Sequence, residues 1–515
     1  MLDQTTAQRS APRPLILPDD EHNRVLVEQT HPPGWQNPTP RGRYNLVVIG
    51  SGTAGLTAAG GCAALGGRVA LIERHLTGGD CLITGCVPSK GIISSARAAS
   101  IVRDARRYGI QIRGDSLVDF PAVMERMRKL RAEISPHDSV HHLNESGIDV
   151  FLGSARFVAP DAVKVDGVRL PFARAVIATG GRAVVPPIPG LKESGFLTNE
   201  TLFELTVLPK RFAMIGAGPI GCEMAQAFQR LGSHVILINA SSHVLPREDQ
   251  DAAAIVQHAM ERDGIQLMHN ANVVRVSRQG SETTVVVEQG GRSHEVRCDA
   301  LLVGVGRAPN VEGLQLEAAS VRYDKNGVVV DDFLQTSNAR IFAAGDVASP
   351  YKFTHTANAT GRIAMINALL LKTQRASRLV IPWCTFTEPE IAHVGLYEQQ
   401  AKEQGHAVTT LTVPLSDNDR AILDGETEGF VRVHLKQGTD RMLGATIVAA
   451  HAGDLLTYFT LAMTQGRGLS SLSAAIYPYP TQSEILRQLA SQYQQTKLSP
   501  RVKRLTSRWL EWRRR

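Results

Sequence analysis

Residues 44–74, YNLVVIGSGTAGLTAAGGCAALGGRVALIER, constrain the fold more tightly than any other segment. An apolar run meets a cluster of glycines, a stretch of small residues follows, and a second apolar run ends in Glu73. This order predicts a strand, a tight turn, a helix and a second strand with an acid at its tip. Glycines at such a turn allow the backbone to approach a pyrophosphate at the helix N-terminus, and Glu73 can bind a ribose diol. The segment therefore predicts a dinucleotide-binding unit.

A second unit of the same kind begins at Arg211 with RFAMIGAGPIGCEMAQAFQRLGSHVILIN. Glu73 lies 23 residues after Gly50, and Asn239 lies 23 residues after Gly216, so the spacing repeats. Two such units in one chain predict two bound dinucleotides. An acid at the position of Asn239 would repel a 2′-phosphate, whereas asparagine does not, but no arginine follows within three residues to bind one. This pattern leaves NADH and NADPH open and slightly favours NADPH.

Residues 78–90, GGDCLITGCVPSK, hold the cysteine pair Cys81 and Cys86. Five positions of regular helix rise about 7.5 Å, whereas a disulfide needs its Cα atoms within about 7 Å, so a bridged pair requires a break in the helix. Gly85 allows a bend, and Pro88 suits the first turn of a following helix. Cys86 would then lie at a helix N-terminus, where the dipole stabilises a thiolate. The segment predicts redox chemistry.

Two other interpretations of this pair are open: two buried cysteines without a bond, or half of a metal site. The metal interpretation is the weaker one, because no second cysteine pair or histidine cluster follows at zinc spacing.

Composition indicates an ordinary globular protein. The length of 515 residues suggests about three domains, and 43% hydrophobic with 20% charged residues fits a sizeable core. Six cysteines with one informative spacing fit a reducing compartment and one catalytic disulfide, not a disulfide scaffold. The first residues lack the apolar core of a signal peptide, and Arg68, Glu73 and Arg74 argue against a membrane-spanning helix in the first glycine-rich unit. We therefore expect a cytoplasmic protein.

The net charge of +7 is concentrated in residues 501–515, which hold seven basic residues and one acid. The remainder is close to neutral, so the composition does not indicate a nucleic-acid partner. Val502, Leu505, Trp509 and Trp512 recur at helical spacing and predict one apolar face. This face could lie on an anionic membrane or pack on the protein itself, and both alternatives are open.

The glycine-rich unit followed closely by GGDCLITGCVPSK resembles the FAD-dependent pyridine nucleotide–disulfide oxidoreductases, which include dihydrolipoamide dehydrogenase, glutathione reductase and mercuric reductase. The resemblance extends from residue 44 to about residue 493. It implies an α/β fold with two nested Rossmann-like dinucleotide-binding domains, for FAD and for NAD(P), and a C-terminal α+β dimerisation domain. It also implies a homodimer, FAD and NAD(P)H as cofactors, and a redox-active disulfide between Cys81 and Cys86.

The resemblance divides the chain into six segments: a proline-rich N-terminal extension (1–43), a first FAD-binding segment with the disulfide (44–190), the NAD(P)-binding domain (191–315), a second FAD-binding segment (316–375), the dimerisation domain (376–495) and a basic amphipathic tail (496–515). The two FAD-binding segments together would form one domain. We expect the extension to run irregularly over the surface, with Trp35 as an anchor.

The family's functional positions carry over residue by residue. Those implied for FAD are Gly50, Gly52, Thr53, Ala54, Gly55, Glu73, Gly79, Lys90, Thr179, Gly180 and Asp346. Those implied for NAD(P) are Gly216, Gly218, Pro219, Ile220, Gly221, Asn239 and Gly306. Those implied for catalysis are Cys81, Cys86, Lys90, Glu223, Tyr479 and Glu484. In the family, the positions of Lys90 and Glu223 form an ion pair beside the flavin, the second cysteine touches the flavin, and the first meets the substrate.

The segment IYPYPTQSE, residues 476–484, departs from most of the family. Dithiol enzymes carry a histidine there, with a glutamate five residues on, and this histidine relays the proton of the interchange thiol. This chain has Tyr479 and keeps Glu484, and a phenol with a pKa of about 10 is a poor base near neutrality. Mercuric reductases also carry a tyrosine there, but they end in a vicinal cysteine pair, whereas this sequence has no cysteine after Cys384.

We therefore expect a mercuric reductase-like enzyme that passes electrons from NAD(P)H through FAD and the dithiol to Hg(II). Cys86 would be the charge-transfer thiol and Cys81 the interchange thiol. Both would bind Hg(II) transiently as soft ligands, and no structural metal is expected. The alternatives are a dihydrolipoamide dehydrogenase-like enzyme or a small-disulfide or quinone reductase. An alternative of another class is a redox-signalling flavoprotein that its tail docks to a membrane or partner.

Overall fold

The computed structural model describes residues 16–40, 42–112 and 118–515. The chain forms two compact units. The first unit comprises Met1–Gly216, Ala227–Ile238 and Asn272–Arg378, and the second comprises Ala217–Gln226, Asn239–Ala271 and Leu379–Arg515. These units do not follow the six segments expected from the sequence, and those boundaries stay a prediction.

In the described residues, helices and strands follow one another along the chain. The helices are α1 (Glu21–Thr30), α2 (Thr53–Ala64), α3 (Gly79–Ile83), α4 (Cys86–Arg103), α5 (Phe120–Ile134), α6 (Val140–Glu145), α7 (Pro219–Arg230), α8 (Gln250–Arg262), α9 (Thr354–Leu369), α10 (Glu398–Glu403), α11 (Asp419–Asp424), α12 (Ala452–Thr464), α13 (Glu484–Thr496) and α14 (Pro500–Arg513). The strands are β1 (Tyr44–Ile49), β2 (Val69–Glu73), β3 (Ile148–Leu152), β4 (Ala155–Ala159), β5 (Ala162–Val165), β6 (Val168–Ile177), β7 (Gly181–Ala183), β8 (Arg211–Ile215), β9 (His234–Ile238), β10 (Gln266–Met268), β11 (Ala271–Gln279), β12 (Glu282–Gln289), β13 (Arg292–Cys298), β14 (Ala300–Val303), β15 (Arg307–Pro309), β16 (Tyr323–Asp324), β17 (Gly327–Val328), β18 (Ile341–Ala343), β19 (Pro382–Thr385), β20 (Glu390–Gly395), β21 (Val408–Pro414), β22 (Phe430–Lys436) and β23 (Met442–Ala449).

The main sheet of the first unit has the order β3-β2-β1-β6-β5-β4, with β18 also paired to β6. Strand β1 runs parallel to both β2 and β6, and α2 connects β1 to β2. Strand β1 is buried at five of its six positions, as expected for a parallel strand with both faces covered. The first dinucleotide-binding unit predicted from the glycine pattern is therefore confirmed as a βαβ unit.

The second glycine-rich segment also forms the predicted strands. Strand β8 runs parallel to β9 and to β14, and α7 connects β8 to β9. Four of the five residues of β8 are buried. The α/β fold expected from two repeated strand–turn–helix–strand segments is thus confirmed.

A five-stranded antiparallel sheet organises the second unit, with the order β19-β20-β23-β22-β21. All eight residues of β23 are buried. Apolar residues of α12 and α13, among them Phe459, Leu486 and Leu489, share one hydrophobic core with this sheet. The mixed α+β character predicted for the C-terminal region is confirmed.

The expectation of an irregular N-terminal extension is wrong for the helix α1. The Asp20 side chain caps this helix by accepting from the Asn23 backbone N–H at 2.8 Å, and Leu26 is fully buried. The prolines that suggested irregular structure lie after this helix, so they do not interrupt it. Trp35 is an anchor as predicted, because its indole N–H donates to the Val150 carbonyl oxygen at 3.2 Å. Residues 1–15 lie outside the described residues.

The predicted C-terminal helix is present as α14. The Ser499 hydroxyl caps it by accepting from the Val502 backbone N–H at 3.3 Å. No residue of this helix is buried. Among the described residues, no helix has both the length and the apolar character needed to cross a membrane.

Candidate active site

The two cysteines lie on either side of a break between two helices. Cys81 is inside α3, and Cys86 is the first residue of α4, as the sequence predicted. Gly85 makes the break possible, because a Cβ atom there would lie 2.6 Å from the Asp80 carbonyl oxygen. Cys86 therefore lies at the N-terminus of an 18-residue helix, where the helix dipole stabilises a thiolate.

The environments of the two sulfur atoms differ. Cys81 is a half-buried thiol, whereas Cys86 is exposed and its Sγ lies 3.3 Å from the Thr354 Oγ1. A hydrogen bond with Cys86, together with burial, raises the pKa of the Cys81 thiol. The pair can therefore share one proton, with Cys81 retaining it and Cys86 favoured as the thiolate. Such an asymmetric dithiol is suited to redox exchange.

Four residues implied for FAD follow the carboxyl ends of parallel strands. Strands β2, β1, β6 and β18 are neighbours in this order and run in one direction, so their carboxyl ends meet at one edge. The residues at or just after these ends are Glu73, Gly50, Thr179 and Asp346, respectively. In open α/β sheets this edge is where nucleotides bind.

The glycines of the first turn allow close backbone contacts. Gly50 has φ +100°, and a Cβ there would clash with the Ala178 carbonyl oxygen. A Cβ on Gly55 would overlap the Gly50 carbonyl oxygen, and one on Gly79 would lie 2.6 Å from the Gly52 Cα. Gly52 is the N-cap of α2 and provides no side chain there. The backbone N–H groups of the first α2 turn, at Thr53 and beyond, therefore suit a pyrophosphate group.

Glu73 is held by the same turn. Its Oε2 accepts hydrogen bonds from the backbone N–H of Ser51 at 2.9 Å and from the Ser51 hydroxyl at 2.8 Å. Its Oε1 accepts from the His75 backbone N–H at 2.8 Å. Ser51 was not singled out from the sequence, although its place between two motif glycines is the signal that could have identified it.

The remaining FAD positions also belong to the first unit. The Thr179 hydroxyl donates to the Asn310 carbonyl oxygen at 2.7 Å, and the Asn310 amide returns a bond to the Thr179 carbonyl at 3.0 Å. Gly180 has φ +67° with open space around its Cβ position, so its backbone is accessible. Ala54 is buried in α2, and Lys90 is half-buried in the first turns of α4.

An arginine that sequence reasoning missed joins the cysteine segment to Asp346. The Arg307 guanidinium contacts Asp80 Oδ2, lies 3.3 Å from Asp346 Oδ2 through Nε, and donates to the Gly181 carbonyl at 2.7 Å. Arg307 and Asp346 side chains are each only 17% exposed. Two positions in the sequence could have indicated this cluster. Asp80 directly precedes Cys81, and Arg307 directly follows Gly306.

Burial and ion pairing have opposite effects on the pKa values of this cluster. Burial raises the pKa of the Asp346 carboxyl, although Arg307 and Lys352 act in the opposite direction. Burial alone would lower the pKa of Arg307, but the Asp80 and Asp346 carboxylates outweigh it and raise that pKa. Lys352 donates to the Asp346 backbone carbonyl at 2.7 Å. The cluster therefore orients Asp346, the residue implied for the flavin side chain.

The NAD(P) positions have the corresponding turn geometry. Gly216 has φ +103°, and a Cβ there would lie 2.6 Å from the Gly304 carbonyl oxygen. Gly218 and Gly306 each have open space at the Cβ position, which leaves their backbones accessible. The other three motif residues open α7, with Gly221 buried and Pro219 and Ile220 exposed.

Asn239 is buried, and its side-chain amide is engaged by the turn that follows β9. The amide donates to the His243 carbonyl at 2.7 Å and to the Ser241 carbonyl at 3.2 Å, and its oxygen accepts from the Ser241 backbone N–H at 3.2 Å. A carboxylate could not donate these two bonds. Asn239 therefore shapes the turn in addition to any effect on coenzyme choice.

Glu223 is buried on α7 and accepts from the Phe386 backbone N–H at 2.9 Å. Gln226, one turn later, exchanges two hydrogen bonds with the backbone of Glu388, at 2.7 and 2.9 Å. Lys90 belongs to the first unit and Glu223 to the second, and the predicted ion pair between them stays a prediction.

Tyr479 and Glu484 each bind a residue that the sequence did not indicate. The Tyr479 side chain is exposed, and its hydroxyl donates to Asp419 Oδ2 at 3.0 Å. This bond raises the pKa of the phenol. The Tyr479 phenol is therefore held in its neutral form. Glu484 is the first residue of α13 and accepts a hydrogen bond from Arg487 at 2.9 Å.

The family model described as pyridine nucleotide-disulphide oxidoreductase matches residues 44–361, and the dimerisation domain of the same family matches residues 381–490. A mercuric reductase of Bacillus cereus is 36% identical over 445 residues, which cover 86% of this chain and 70% of that protein. A dihydrolipoyl dehydrogenase of Thermus scotoductus is 33% identical over 459 residues, which cover 87% of this chain and 96% of that protein.

A solved structure that resembles this chain is the HOCl-induced flavoprotein disulfide reductase RclA of Escherichia coli. It superposes with a TM-score of 0.78 at 30% identity and covers 87% of this chain and 99% of that structure. LpdA of Mycobacterium tuberculosis superposes with a TM-score of 0.79 at 27% identity, with 87% and 99% coverage.

Proposed function

Because this chain belongs to the pyridine nucleotide-disulphide oxidoreductase family, and is therefore an FAD- and NAD(P)H-dependent enzyme with a disulfide redox centre, we propose that it reduces mercuric ion. In the overall reaction, NAD(P)H transfers two electrons to Hg(II), and the products are Hg(0), NAD(P)⁺ and a proton. FAD held by the first unit would supply the two-electron redox chemistry that links NAD(P)H to the cysteine pair.

The observation that carries this proposal is the hydrogen bond from Tyr479 to Asp419. A disulfide substrate needs a proton donor for the thiolate that leaves, and a histidine with a pKa near neutrality supplies this efficiently. The Tyr479 phenol has a pKa raised by Asp419, so it does not exchange protons near neutrality. A metal ion held between two thiolates requires no such relay. The chain therefore suits a soft metal ion better than a disulfide.

The two cysteines act as the metal ligands in this proposal. Thiolates are soft ligands that bind soft ions such as Hg(II) tightly. As the interchange thiol, Cys81 would meet the ion first, and binding of the ion displaces the proton that Cys81 retains. The neutral Tyr479 phenol of the second copy in the homodimer would then lie near the metal as a weak oxygen ligand, because its single O–H is donated to Asp419.

The cofactor roles follow the geometry of the first unit. The α2 N-terminus with Gly50, Gly52 and Gly55 would hold the FAD pyrophosphate, and Glu73 the ribose. Asp346, oriented by Arg307, would bind the flavin side chain. The residues from Gly216 to Gly221 would bind NAD(P)H in the same manner, with either coenzyme accepted because Asn239 carries no charge.

The dimerisation domain supports a homodimer. Ile476 is 99% exposed and Tyr479 is 70% exposed in the isolated chain. Large apolar side chains exposed together mark an interface. We therefore assign this segment to the contact with a second copy, where Tyr479 would approach the cysteine pair of the partner.

Reduction of a small disulfide such as lipoamide is the second candidate function. Relatives named dihydrolipoyl dehydrogenase and a structural neighbour named disulfide reductase favour it. Retention of Glu484, which would orient a histidine in the dithiol enzymes, also favours it.

Steady-state oxidation of NADH and NADPH by the FAD-loaded enzyme tests these candidates against Hg(II), lipoamide, glutathione disulfide and a quinone. We expect Hg(II) to give the highest kcat/KM, by at least tenfold. Cys81→Ser and Cys86→Ser should each abolish that turnover, whereas the matched control Cys384→Ser should retain it. Faster turnover of lipoamide than of Hg(II) would replace the first candidate with the second.

A further inference from the structure

Helix α14 exposes a large apolar surface. Leu505, Trp509 and Trp512 are 66%, 53% and 70% exposed, and no residue of the helix is buried. Two of the four tryptophans of the chain lie here. Burial of a tryptophan side chain removes a large apolar area from water and is therefore strongly favourable. An exposed apolar surface of this kind indicates a binding site for a partner.

The apolar residues occupy one side of the helix. With 3.6 residues per turn, Val502, Leu505, Trp509 and Trp512 fall within an arc of about 80°. This arc, which we call the tryptophan face, is bordered by basic residues on both sides. Glu511, the one acid between residues 501 and 515, lies about 140° from the centre of the tryptophan face.

Charge identifies the kind of partner. Residues 501–515 carry seven basic side chains and one acid, which account for six of the seven net positive charges of the whole chain. A second copy of this helix would bring two strongly positive segments together. A nucleic acid would pair with the basic residues but would leave the tryptophan face in water. An anionic lipid surface satisfies both features.

We propose that α14 binds the surface of a membrane containing anionic phospholipids. The helix lies in the plane of the interface, with the tryptophan face towards the acyl chains and the bordering arginines at the phosphates. Tryptophan rings are stable at this depth because they are apolar with a single N–H donor, and arginine stems can extend along apolar surface. Membrane binding through α14 is independent of the substrate of the enzyme.

Flotation of the full-length, FAD-loaded enzyme with 100-nm vesicles tests this proposal. We expect binding to vesicles of phosphatidylcholine with 30% phosphatidylglycerol, and at least tenfold weaker binding to pure phosphatidylcholine. Binding should weaken steeply between 50 and 500 mM NaCl because salt screens the basic residues. Tryptophan fluorescence should shift to shorter wavelength when anionic vesicles are added.

Two sets of variants separate the apolar and the charge contributions. Trp509→Ser with Trp512→Ser should weaken binding at least tenfold, whereas Val207→Ser with Leu371→Ser, two exposed apolar residues elsewhere, should not. Arg508→Gln, Arg513→Gln and Arg514→Gln together should weaken binding about a hundredfold. The control for the arginine set removes three exposed basic residues elsewhere and should not weaken binding to the same extent. Its substitutions are Lys192→Gln, Arg292→Gln and Lys325→Gln.

Three outcomes would overturn the proposal. The first is equal binding to neutral and anionic vesicles, or no binding to either. The second is undiminished binding by the tail variants. The third is a tail-dependent complex with a short DNA duplex, or a tail-dependent higher oligomer in light scattering, in the absence of vesicle binding. Coenzyme oxidation should be unchanged in all tail variants, which verifies their folding.

Discussion

At the scale of single residues, the two cysteines are chemically unequal. Cys86 begins a long helix and is exposed, whereas Cys81 is half-buried and its pKa is raised by the bond with Cys86 and by burial. A helix N-terminus stabilises negative charge on the residue that begins it. The reduced enzyme should therefore carry its thiolate at Cys86.

Replacement of each cysteine by serine tests this assignment. Two-electron reduction of the FAD-loaded enzyme should produce a long-wavelength absorbance band from a thiolate beside the flavin. Cys86→Ser should abolish the band without loss of FAD, whereas Cys81→Ser should retain it. Anaerobic titration followed by absorbance gives the result, and a band that survives in Cys86→Ser would exchange the two roles.

Arg307 is the second residue whose effect can be measured directly. It contacts Asp80 and Asp346 and is 17% exposed, so its removal takes the guanidinium partner away from the buried Asp346 carboxylate. Loss of one partner of a buried ion pair typically costs about 3–5 kcal/mol. Arg307→Met should therefore lower the thermal midpoint of the enzyme and weaken FAD retention at least tenfold.

Arg24 provides the matched control for Arg307. It forms an ion pair with Asp19 at 2.9 Å, but the two side chains are 60% and 70% exposed. Exposed pairs contribute little because water screens them. Arg24→Met should change both the thermal midpoint and FAD retention much less, and equal losses in the two variants would refute the role of the buried cluster.

At the scale of elements, the antiparallel sheet of the second unit carries two buried histidines on its strands. His393 on β20 bonds Thr446 at 2.8 Å and the Gly395 carbonyl at 3.2 Å, and burial lowers its pKa to about 3. His434 on β22 bonds Thr410 at 2.9 Å, and burial lowers its pKa to about 4. Both are neutral in the folded protein at pH values where an unfolded chain would bind a proton.

This sheet should lose stability as the pH falls. The folded pKa values lie below the unfolded value of 6.5, so the stabilisation is complete above pH 6.5 and is lost as pH falls towards 4. The contribution of His434 is roughly 3 kcal/mol across this window. Denaturant unfolding of His434→Gln should show a flatter pH dependence than the original chain. His258→Gln, at an exposed position on α8, should keep the original slope.

At the scale of the whole molecule, the proposed homodimer gives Tyr479 its role. The Tyr479 side chain is 70% exposed in the isolated chain, so its ring is accessible to a second copy while its hydroxyl bonds Asp419. Tyr479→Phe should lower Hg(II) turnover without changing the rate at which NAD(P)H reduces the enzyme. Stopped-flow measurement of the two half-reactions separates these rates, and Tyr458→Phe, a second exposed tyrosine, is the control.

Tyr479→His tests the same position from the other direction. A histidine could pair with Glu484 and relay the proton that a disulfide substrate requires, an effect of about 10²–10⁴-fold in general base catalysis. Lipoamide turnover should rise in this variant. A change in dimer stability without a change in substrate preference would assign Tyr479 to interface packing alone.

Local sequence patterns were sufficient to predict much of the fold of this protein. Both βαβ units, the helix that begins at Cys86 and the amphipathic helix α14 were predicted because each depends on residues adjacent in sequence, where glycine, proline and hydrophobic spacing act directly on the backbone. The N-terminal helix α1 was missed because it is short and precedes a proline cluster, and the burial of Leu26 stabilises it in the fold.

Long-range partners were decided by the tertiary structure alone. Arg307 meets Asp80 across 227 positions of sequence, and Tyr479 meets Asp419 across 60. Asn239 was predicted to affect coenzyme choice, but the folded turn also uses its amide to bind two carbonyl groups. A side chain's type and local spacing determine what it can bind. Which charged or polar group it binds depends on which strands and helices become neighbours in the folded chain, because hydrogen bonds and buried ion pairs act only over a few ångströms.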